Sequence, residues 1–373
     1  MTRSPLVFVI ESGTDVRLVD GLAGHFEVTV LARAIPGGRA VNWPPVGGAV
    51  VVEGPASRIG FARWAMQQVT ARRPDRVLAQ GYGLSALAVL RTRPDASLLV
   101  CSPVERYYDT RRAAGLPHMP WRAWERAAIA IVARANARWC SHYVVLSEHL
   151  AEVVASYKTR AAIDVIPVYG VDTARFVPLP RVERRALRAH LRLPDHPIIF
   201  FSSRIAPEKD VATLLGACAR LVADGRAFTL LHMSGGWQAF QDAARAAGLG
   251  AHVIAREAVH PARDLPSWYQ ASDLCVQASR AEGLGFSVLE ALACEVPVVA
   301  TAVGGLTETI RDGDTGWSYD VGDAAGLAVA MAEALDDPAE AARRAHAGRL
   351  MVERRYAARA VFQQLAAALT ERR

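Results

Sequence analysis

Residues 282–305 read Glu-Gly-Leu-Gly-Phe-Ser-Val-Leu-Glu-Ala-Leu-Ala-Cys-Glu-Val-Pro-Val-Val-Ala-Thr-Ala-Val-Gly-Gly. Gly283 and Gly285 allow a tight turn and a close approach of the backbone to a ligand. The apolar residues from Phe286 onward predict a helix, whose first amides and macrodipole favour an anion. A short strand at 298–300 follows. The stretch therefore predicts part of an α/β domain with an anion site at its glycine turn.

Two carboxylates flank this turn, with seven residues between them. Glu282 lies on the turn and Glu290 lies inside the helix, so the two carboxylates are on the order of 10 Å apart. That spacing suits the two ends of a nucleotide-diphosphate sugar, because one carboxylate can accept hydrogen bonds from sugar hydroxyls and the other from ribose hydroxyls. A plain turn followed by a solvated helix fits the same residues, so both interpretations stay open.

The chain has 373 residues, of which 51% are hydrophobic. This length predicts two domains, since a single core stops growing at about 250–300 residues. No apolar run approaches the roughly 20 residues of a membrane span. Residues 6–10 are too few for a signal-peptide core, and the five cysteines lack paired spacing. A cytoplasmic protein without a zinc site or a disulfide framework is expected.

The charge is unevenly distributed along the chain. Residues 1–170 contain 20 Lys plus Arg against 13 Asp plus Glu, a net charge of +7, whereas the remainder has 23 against 24, a net charge of −1. A basic half attracts an anionic partner such as a phosphorylated acceptor or an anionic membrane surface. No nucleic-acid motif is present, so nucleic acid is not expected. Of the 43 basic residues only Lys158 and Lys209 are lysines, and ordinary solvated charge explains the imbalance equally well.

Short apolar runs alternate with helical stretches along both halves of the chain. Strands are predicted at 6–10, 27–31, 50–52, 76–79, 97–101, 143–146 and 164–168, and, after a proline-rich linker at 178–180, at 197–201, 229–232, 252–255, 274–277 and 298–300. This alternation predicts two doubly wound parallel sheets covered by helices, with ligands bound at the carboxyl ends of the strands. A last helix is predicted at 357–370.

The loop after the strand at 197–201 carries two cations, Arg204 and Lys209. An arginine offers a planar fork to phosphate oxygens, and a lysine offers a compact charge. Gly235 and Gly236 make another glycine turn after the strand at 229–232, where backbone can approach a nucleotide. The second half therefore predicts a nucleotide-diphosphate site.

These features together resemble the retaining glycosyltransferases of family 4, which have the α/β GT-B fold of two facing Rossmann-like domains with a cleft between them. The resemblance rests on Ser-Arg-Ile-Ala-Pro-Glu-Lys at 203–209, on the paired glutamates of 282–290, and on 298–308. Upstream, residues 143–147 and 165–176 also match the family pattern.

The resemblance implies transfer of a hexose-type sugar from a UDP- or GDP-sugar to a hydroxyl acceptor, without a metal or another cofactor. It implies Arg204, Lys209 and Glu282 as catalytic residues, with the two cations on the donor pyrophosphate. It implies ribose binding by Glu290. The other implied donor-binding residues are Gly285, Phe286, Ser287, Gly235 and Gly236.

The resemblance also implies discontinuous domains, because the last helix would cross back onto the first domain. Residues 1–177 with 356–373 would form the acceptor-side domain, and residues 181–355 the donor-binding domain.

Three departures from the family pattern concern the acceptor side. Val168 and Tyr169 stand where the family has an asparagine, Gly13 stands alone where it has paired glycines, and no histidine follows the strands at 76–79 and 97–101. The acceptor-side candidates are therefore weaker, and the acceptor stays open, including an anionic or lipid-linked compound. They are Gly13, Glu105, Arg106, Tyr107 and Tyr108.

Three alternatives remain at this stage. Gly81-Tyr-Gly83-Leu-Ser-Ala86 with Glu105 about twenty residues on fits the fingerprint of an NAD-dependent oxidoreductase. A non-catalytic nucleotide-sugar binding module has the same fold. Residues 120–139 carry Trp121, Trp124 and Trp139 among arginines, and predict either a peripheral membrane helix or a helix that packs Ile129, Ile131 and Val132 on the sheet.

Overall fold

The computed structural model describes residues 3–102 and 122–371. Within these residues the chain forms two units. The first holds the residues up to Gly170 together with those from Ala358 onward, and the second is Val171–Ala357.

The first unit is a parallel sheet of seven strands in the order β3-β2-β1-β4-β5-β6-β7. The strands are β1 (Pro5–Ile10), β2 (Glu27–Arg33), β3 (Val50–Gly54), β4 (Arg76–Gln80), β5 (Ser97–Val100), β6 (His142–Val145) and β7 (Ala162–Val165). Its described helices are α1 (Val16–Ala23), α2 (Arg58–Arg72), α3 (Leu84–Thr92), α4 (Arg122–Trp139), α5 (Glu148–Ala155) and, at the end of the chain, α14 (Ala358–Glu371).

The second unit is a parallel sheet of six strands in the order β10-β9-β8-β11-β12-β13. The strands are β8 (Ile198–Phe201), β9 (Thr229–Met233), β10 (Val253–Arg256), β11 (Leu274–Gln277), β12 (Val298–Thr301) and β13 (Trp317–Tyr319). The helices are α6 (Arg181–Leu191), α7 (Val211–Ala223), α8 (Trp237–Ala246), α9 (Leu265–Gln270), α10 (Phe286–Ala293), α11 (Leu306–Thr309), α12 (Ala324–Asp336) and α13 (Pro338–Arg355), with 3₁₀ turns at Pro207–Lys209 and Gly250–His252.

The central strands are buried on both faces, as expected for parallel sheets covered by helices. In β1 the run Leu6–Ile10 is at most 2% exposed, and in β8 all four residues are fully buried. The core of the second unit packs the sheet against α7, α8 and α12 through Phe201, Leu214 and Phe240. The predicted fold class, two Rossmann-like parallel-sheet domains, is confirmed.

Two elements differ from the predictions. β7 ends at Val165 instead of extending to 168, because Pro167 has no N–H to continue a ladder. β13 was not predicted, since its three residues are too short to show an alternation. The predicted last helix is confirmed as α14.

Helix α4 packs differently from the predicted helix that places Ile131 on the sheet. Ile131 is 65% exposed, whereas Ala133, Asn136 and Ala137 are buried. The Asn136 amide donates to the carbonyl of Tyr82, at 3.2 Å, and so fixes this face of α4 beside the start of α3. The prediction that Ile131 packs on the sheet is therefore wrong. The face with the small residues Ala133 and Ala137 is buried instead, because small side chains allow α4 and α3 to approach each other closely. Trp121 and the side chains of Trp124 and Ile129 lie outside the described residues.

Each sheet has one point at which the strand order reverses. In the first unit β2 lies on one side of β1 and β4 on the other, and in the second unit β9 lies on one side of β8 and β11 on the other. Loops leaving these neighbouring strands diverge and open a crevice, where doubly wound proteins bind ligands. Among the described helices, none is long and apolar enough to cross a membrane.

Candidate active site

The crevice of the second unit is bounded by the loop after β8 and the loop after β11. Lys209 lies at the end of a 3₁₀ turn on the first loop, and Glu282 lies on the second. The Lys209 ammonium donates a hydrogen bond to the Glu282 carboxylate. Their side chains are only 13% and 15% exposed, respectively. Two residues that are 73 positions apart in the sequence thus form one ion pair at the crevice.

The surroundings of Glu282 keep its carboxyl group ionised. Burial acts to raise its pKa, but the charge of Lys209 and the hydrogen bonds from Lys209, Ser279 and Gln277 outweigh burial and hold the pKa below its ordinary value. Ser279 Oγ donates at 3.1 Å and Gln277 Nε2 at 3.2 Å. The site therefore presents an anchored carboxylate that can accept hydrogen bonds from hydroxyl groups.

Gln277, the last residue of β11, connects the parts of this site and was not predicted from the sequence. It is 1% exposed. Its side-chain oxygen Oε1 accepts hydrogen bonds from Ser203 Oγ at 2.9 Å and from Ser287 Oγ at 3.3 Å. Its side-chain nitrogen Nε2 donates to Ser279 and Glu282. One buried carboxamide thus links the β8 loop, the β11 loop and the first turn of α10.

The turn before α10 is built on glycines that have no room for a side chain. Gly285 has φ +88°, and a Cβ there would lie 2.3 Å from Leu306 Cδ2. A Cβ on Gly305 would lie 2.1 Å from the carbonyl oxygen of Gly283, and the Gly305 N–H donates to the carbonyl of Glu282 at 3.2 Å. Two glycine segments therefore pack against each other and fix the start of α10.

Glu290 is buried, at 3% exposure, in the second turn of α10. Tyr269 Oη donates to its Oε2 at 2.8 Å. Burial, together with the charge of Glu290, raises the pKa of the Tyr269 phenol well above its usual range, so the phenol stays a donor. The alternative of a solvated helix residue is wrong for Glu290, because α9 covers this part of α10.

Arg204 is exposed in this structure, with 68% of its side chain accessible to solvent. Its guanidinium lies 3.0 Å from Glu208 Oε1. Arg280, which was not predicted as a site residue, joins the same region. Its backbone N–H donates to the carbonyl of Glu208, and its guanidinium lies 2.8 Å from Asp210 Oδ2. Arg280 of the β11 loop thus contacts the β8 loop at both Glu208 and Asp210.

The turn at Gly235 and Gly236 is positioned by a buried histidine. His232 Nδ1 lies 3.0 Å from the carbonyl of Phe201 and its Nε2 lies 2.8 Å from Ser234 Oγ, which in turn accepts from the Gly236 N–H. Burial lowers the pKa of His232 to about 4, so the ring is neutral. Nδ1 therefore donates to the carbonyl and Nε2 accepts from Ser234. A Cβ on Gly235 would meet nothing within 4 Å.

In the first unit the corresponding crevice is organised by Glu11. This carboxylate follows β1 and accepts from Ser85 Oγ at 2.8 Å and from the Ser85 N–H at 3.2 Å, at the start of α3. A Cβ on Gly83 would lie 2.0 Å from Glu11 Oε2. An internal carboxylate thus lies where the NAD fingerprint requires a pyrophosphate.

The acceptor-side candidates are only partly described. Gly13 lies on the loop after β1, and its carbonyl accepts from Gln80 Nε2 at 3.4 Å. Glu105, Arg106, Tyr107 and Tyr108 lie outside the described residues. Among the residues that the structure does describe, no group of three or more His, Cys, Asp or Glu side chains is placed to hold a metal ion.

The family model "Glycosyl transferases group 1" matches residues 183–351, which include the whole crevice of the second unit. The chain is 32% identical over 265 residues to the GDP-mannose-dependent alpha-(1-6)-phosphatidylinositol monomannoside mannosyltransferase of Mycolicibacterium smegmatis, and this match covers 68% of the chain and 69% of the relative. It is 35% identical over 181 residues to a D-inositol 3-phosphate glycosyltransferase of Thermobispora bispora, with 45% of the chain and 41% of the relative covered.

Solved structures with the same fold match 97% or more of the chain. Sucrose-phosphate synthase from Thermosynechococcus elongatus has a TM-score of 0.81 at 21% identity, with 97% of both chains covered. Anabaena HepE in complex with UDP and glucose has a TM-score of 0.76 at 18% identity, with 99% of this chain and 100% of HepE covered. The chain belongs to the group 1 glycosyl transferases and is a glycosyltransferase that uses a nucleotide-sugar donor.

Proposed function

We propose that this glycosyltransferase transfers a hexose from a UDP- or GDP-sugar to a hydroxyl acceptor with retention of the anomeric configuration and without a metal. The observation that carries the proposal is the Lys209–Glu282 pair beside the start of α10. It combines a cation for the diphosphate, a carboxylate for sugar hydroxyls and a helix N-terminus for negative charge within one crevice.

The proposed chemistry rests on electrostatic stabilisation of the leaving group. The bond between the anomeric carbon and the diphosphate oxygen breaks, and the acceptor oxygen bonds to the same face of that carbon. The acceptor proton passes to the departing phosphate oxygen. Lys209, with Arg204 on the same loop, would neutralise the charge that grows on the diphosphate, and such preorganised charges are commonly the largest catalytic contribution.

The proposed role of Glu290 is to accept hydrogen bonds from the two ribose hydroxyls of the donor. Tyr269 orients its carboxylate from the protein side. Gly235 and Gly236 are proposed to lie near the nucleotide because no side chain fills the space beside Gly235. GDP-mannose is the first donor to test, since the Mycolicibacterium smegmatis relative is named as GDP-mannose-dependent.

The proposed acceptor is a phosphate-bearing polyol, either free or linked to a lipid. The names of two relatives specify a phosphatidylinositol mannoside and an inositol 3-phosphate, respectively. The net charge of +7 on residues 1–170 favours an anionic acceptor. A cytoplasmic enzyme with peripheral contact to an anionic membrane is the corresponding proposal for its location.

A donor screen without acceptor tests the proposal most directly. We expect slow hydrolysis of one or two among GDP-mannose, UDP-glucose, UDP-galactose and UDP-N-acetylglucosamine, and an unchanged rate after treatment with EDTA. UDP or GDP should raise the thermal midpoint, whereas NAD should not. Stabilisation by NAD alone, with no hydrolysis of any donor, would contradict the assignment. The anomeric configuration of the released or transferred sugar, measured by NMR at early times, tests retention.

A further inference from the structure

A second basic site lies in the first unit, away from its crevice. A cavity of about 600 Å³ is lined by residues from the end of α4 and from the segment that leads into β7. The lining residues are Arg134, Ala137, Arg138, Trp139, Cys140, Tyr157, Lys158 and Arg160. These residues precede β6 and β7, so the cavity lies at the amino ends of the strands. The crevice beside Glu11 and Gly13 lies at the carboxyl ends, so the two sites are separate.

The cavity is lined by cationic side chains and by no acidic one. Four of its eight lining residues are cationic, and none is acidic. Arg134, Arg138, Lys158 and Arg160 are all exposed, and none of them forms an ion pair within the described part of the chain. Arg138 can stabilise the last turn of α4 through the helix dipole, but this accounts for one cation at most. Four like charges around one cavity repel each other, and a bound anion would offset this repulsion.

Hydrogen bonds between the Thr159 side chain and the backbone hold the two segments of this cavity together. Thr159 Oγ1 donates to the carbonyl of Ala137 at 3.2 Å and accepts from the Ala161 N–H at 3.1 Å, so the loop before β7 is tied to the last turn of α4. Lys158 has φ +59°, a left-handed conformation that glycine or asparagine normally takes at a helix end. Lysine is otherwise found only at position 209, in the donor crevice.

We infer that this cavity binds a phosphate group. Arginine forks and a lysine ammonium are the side chains that suit phosphate oxygens, and the volume is sufficient for a phosphate with an attached polyol. Trp139, at 46% exposure, adds an amphipathic ring at the rim. The phosphate belongs either to a soluble phosphate ester or to the headgroup of an anionic lipid. The inference does not depend on glycosyl transfer, since it uses no residue of the donor crevice.

The test compares two double charge reversals in the full chain. The pocket variant combines Arg138→Glu with Arg160→Glu. The control combines Arg91→Glu with Arg63→Glu, two exposed arginines of the same unit outside the cavity, and Arg91 matches Arg138 because it too lies in the last turn of a helix. Equal thermal midpoints of the two variants confirm that both are folded. Donor hydrolysis without acceptor should be the same in both, which keeps this test distinct from that of the proposed function.

Two binding measurements distinguish the sources of phosphate. The first is titration of each protein with inorganic phosphate and with glycerol 1-phosphate at low salt, and the second is co-sedimentation with phosphatidylcholine vesicles that contain or lack phosphatidylglycerol. We expect the pocket variant to bind at least about tenfold more weakly than the control in one of the two measurements. Loss in the first identifies a soluble phosphate ester, and loss in the second identifies a lipid headgroup. No binding by the wild type in either, or equal loss in both variants, would overturn the inference.

Discussion

The two crevices of this protein share one topology and differ in the groups that lie at the start of one helix, α3 after β4 in the first unit and α10 after β11 in the second. In the first unit the residue after β1 is Glu11, whose carboxylate accepts from Ser85 at the start of α3. In the second unit the residues after β8 are Ser202 and Ser203, and Ser203 donates to Gln277 instead. The first unit thus supplies its own anion to the helix start, whereas the second unit contributes hydroxyl groups and a lysine.

This difference explains why a glycine turn before a helix is not by itself a nucleotide site. Gly81 and Gly83 have the expected spacing, and Gly81 has φ +82°. The neighbouring strand nevertheless places a carboxylate where a pyrophosphate would bind, so repulsion and lack of space disfavour a dinucleotide. The residue that follows the first strand of the first unit, Glu11, therefore disfavours a diphosphate in that crevice.

The largest effect is expected from removal of the Lys209 cation in the second crevice. Lys209→Gln should lower kcat for transfer about a thousandfold, because it removes a diphosphate-stabilising charge and leaves the buried Glu282 without its partner. Lys209→Arg should recover part of the rate. Arg220→Gln, an exposed arginine of the same unit, is the matched control. Steady-state kinetics with a saturating donor measure the effect, and unchanged turnover in Lys209→Gln would remove Lys209 from the site.

A smaller effect is expected from the buried carboxylate of α10. Glu290→Gln should raise the donor KM about tenfold to a hundredfold, since hydrogen bonds to a charged acceptor contribute about 1.5–3 kcal/mol. Tyr269→Phe keeps the charge and should change KM less. Titration with GDP or UDP, followed by thermal shift, provides a second measurement. A normal KM with a reduced kcat would place Glu290 outside nucleotide binding.

The pH dependence of activity tests whether Gln277 helps to keep the Glu282 carboxyl group ionised. The lowered pKa of Glu282 stabilises the fold above the ordinary carboxyl pKa of 4.5, and this contribution is lost as pH falls through the lower folded value. Gln277→Glu places a second carboxylate beside Glu282 and should raise that pKa. The acidic limb of the kcat profile should therefore move to higher pH, with a loss of about tenfold at mildly acidic pH. Ser287→Ala removes only one contact to Gln277 and should leave the limb in place. An unmoved limb in Gln277→Glu would show that Glu282 is not the titrating group.

The smallest effect should come from the first crevice. Glu11→Gln keeps an acceptor for Ser85 but loses the charge at the start of α3, so the free energy of unfolding should fall by about 1 kcal/mol. Affinity for GDP or UDP should stay the same. Urea unfolding and nucleotide titration measure the two quantities. Weaker nucleotide binding in Glu11→Gln would mean that the first crevice also contributes to nucleotide binding.

Much of the fold was predictable because both sheets have buried parallel strands with uninterrupted apolar runs. All strands except β13 were predicted near their observed positions, and the switch points follow from the strand order. β13 was not, since Trp317–Tyr319 forms a strand only through its pairing with β12. The exposed face of α4 was also not predictable, because the burial of Ala133 and Asn136 depends on the close approach of α3.

Part of the candidate site was predictable. Arg204, Lys209, Glu282 and Glu290 were predicted from residue type and spacing, and the ion pair between Lys209 and Glu282 agrees with the expectation that the two loops meet. Gln277 and Arg280 were missed, because a glutamine at a strand end and an arginine on a loop have no distinctive spacing. Their significance depends on partners 74 and 70 residues away.

The two α/β domains, the glycine turns and the charged residues of the donor loops follow from the amino-acid sequence, because they depend on local periodicity and on residue chemistry. Which charges meet depends on the folded structure. Folding pairs Lys209 with Glu282 and places the Glu11 carboxylate beside the glycine turn of the first unit. It also brings four cations around one cavity: Arg134, Arg138, Lys158 and Arg160. The physical reason is that electrostatic interactions depend on distance and burial, and packing sets both.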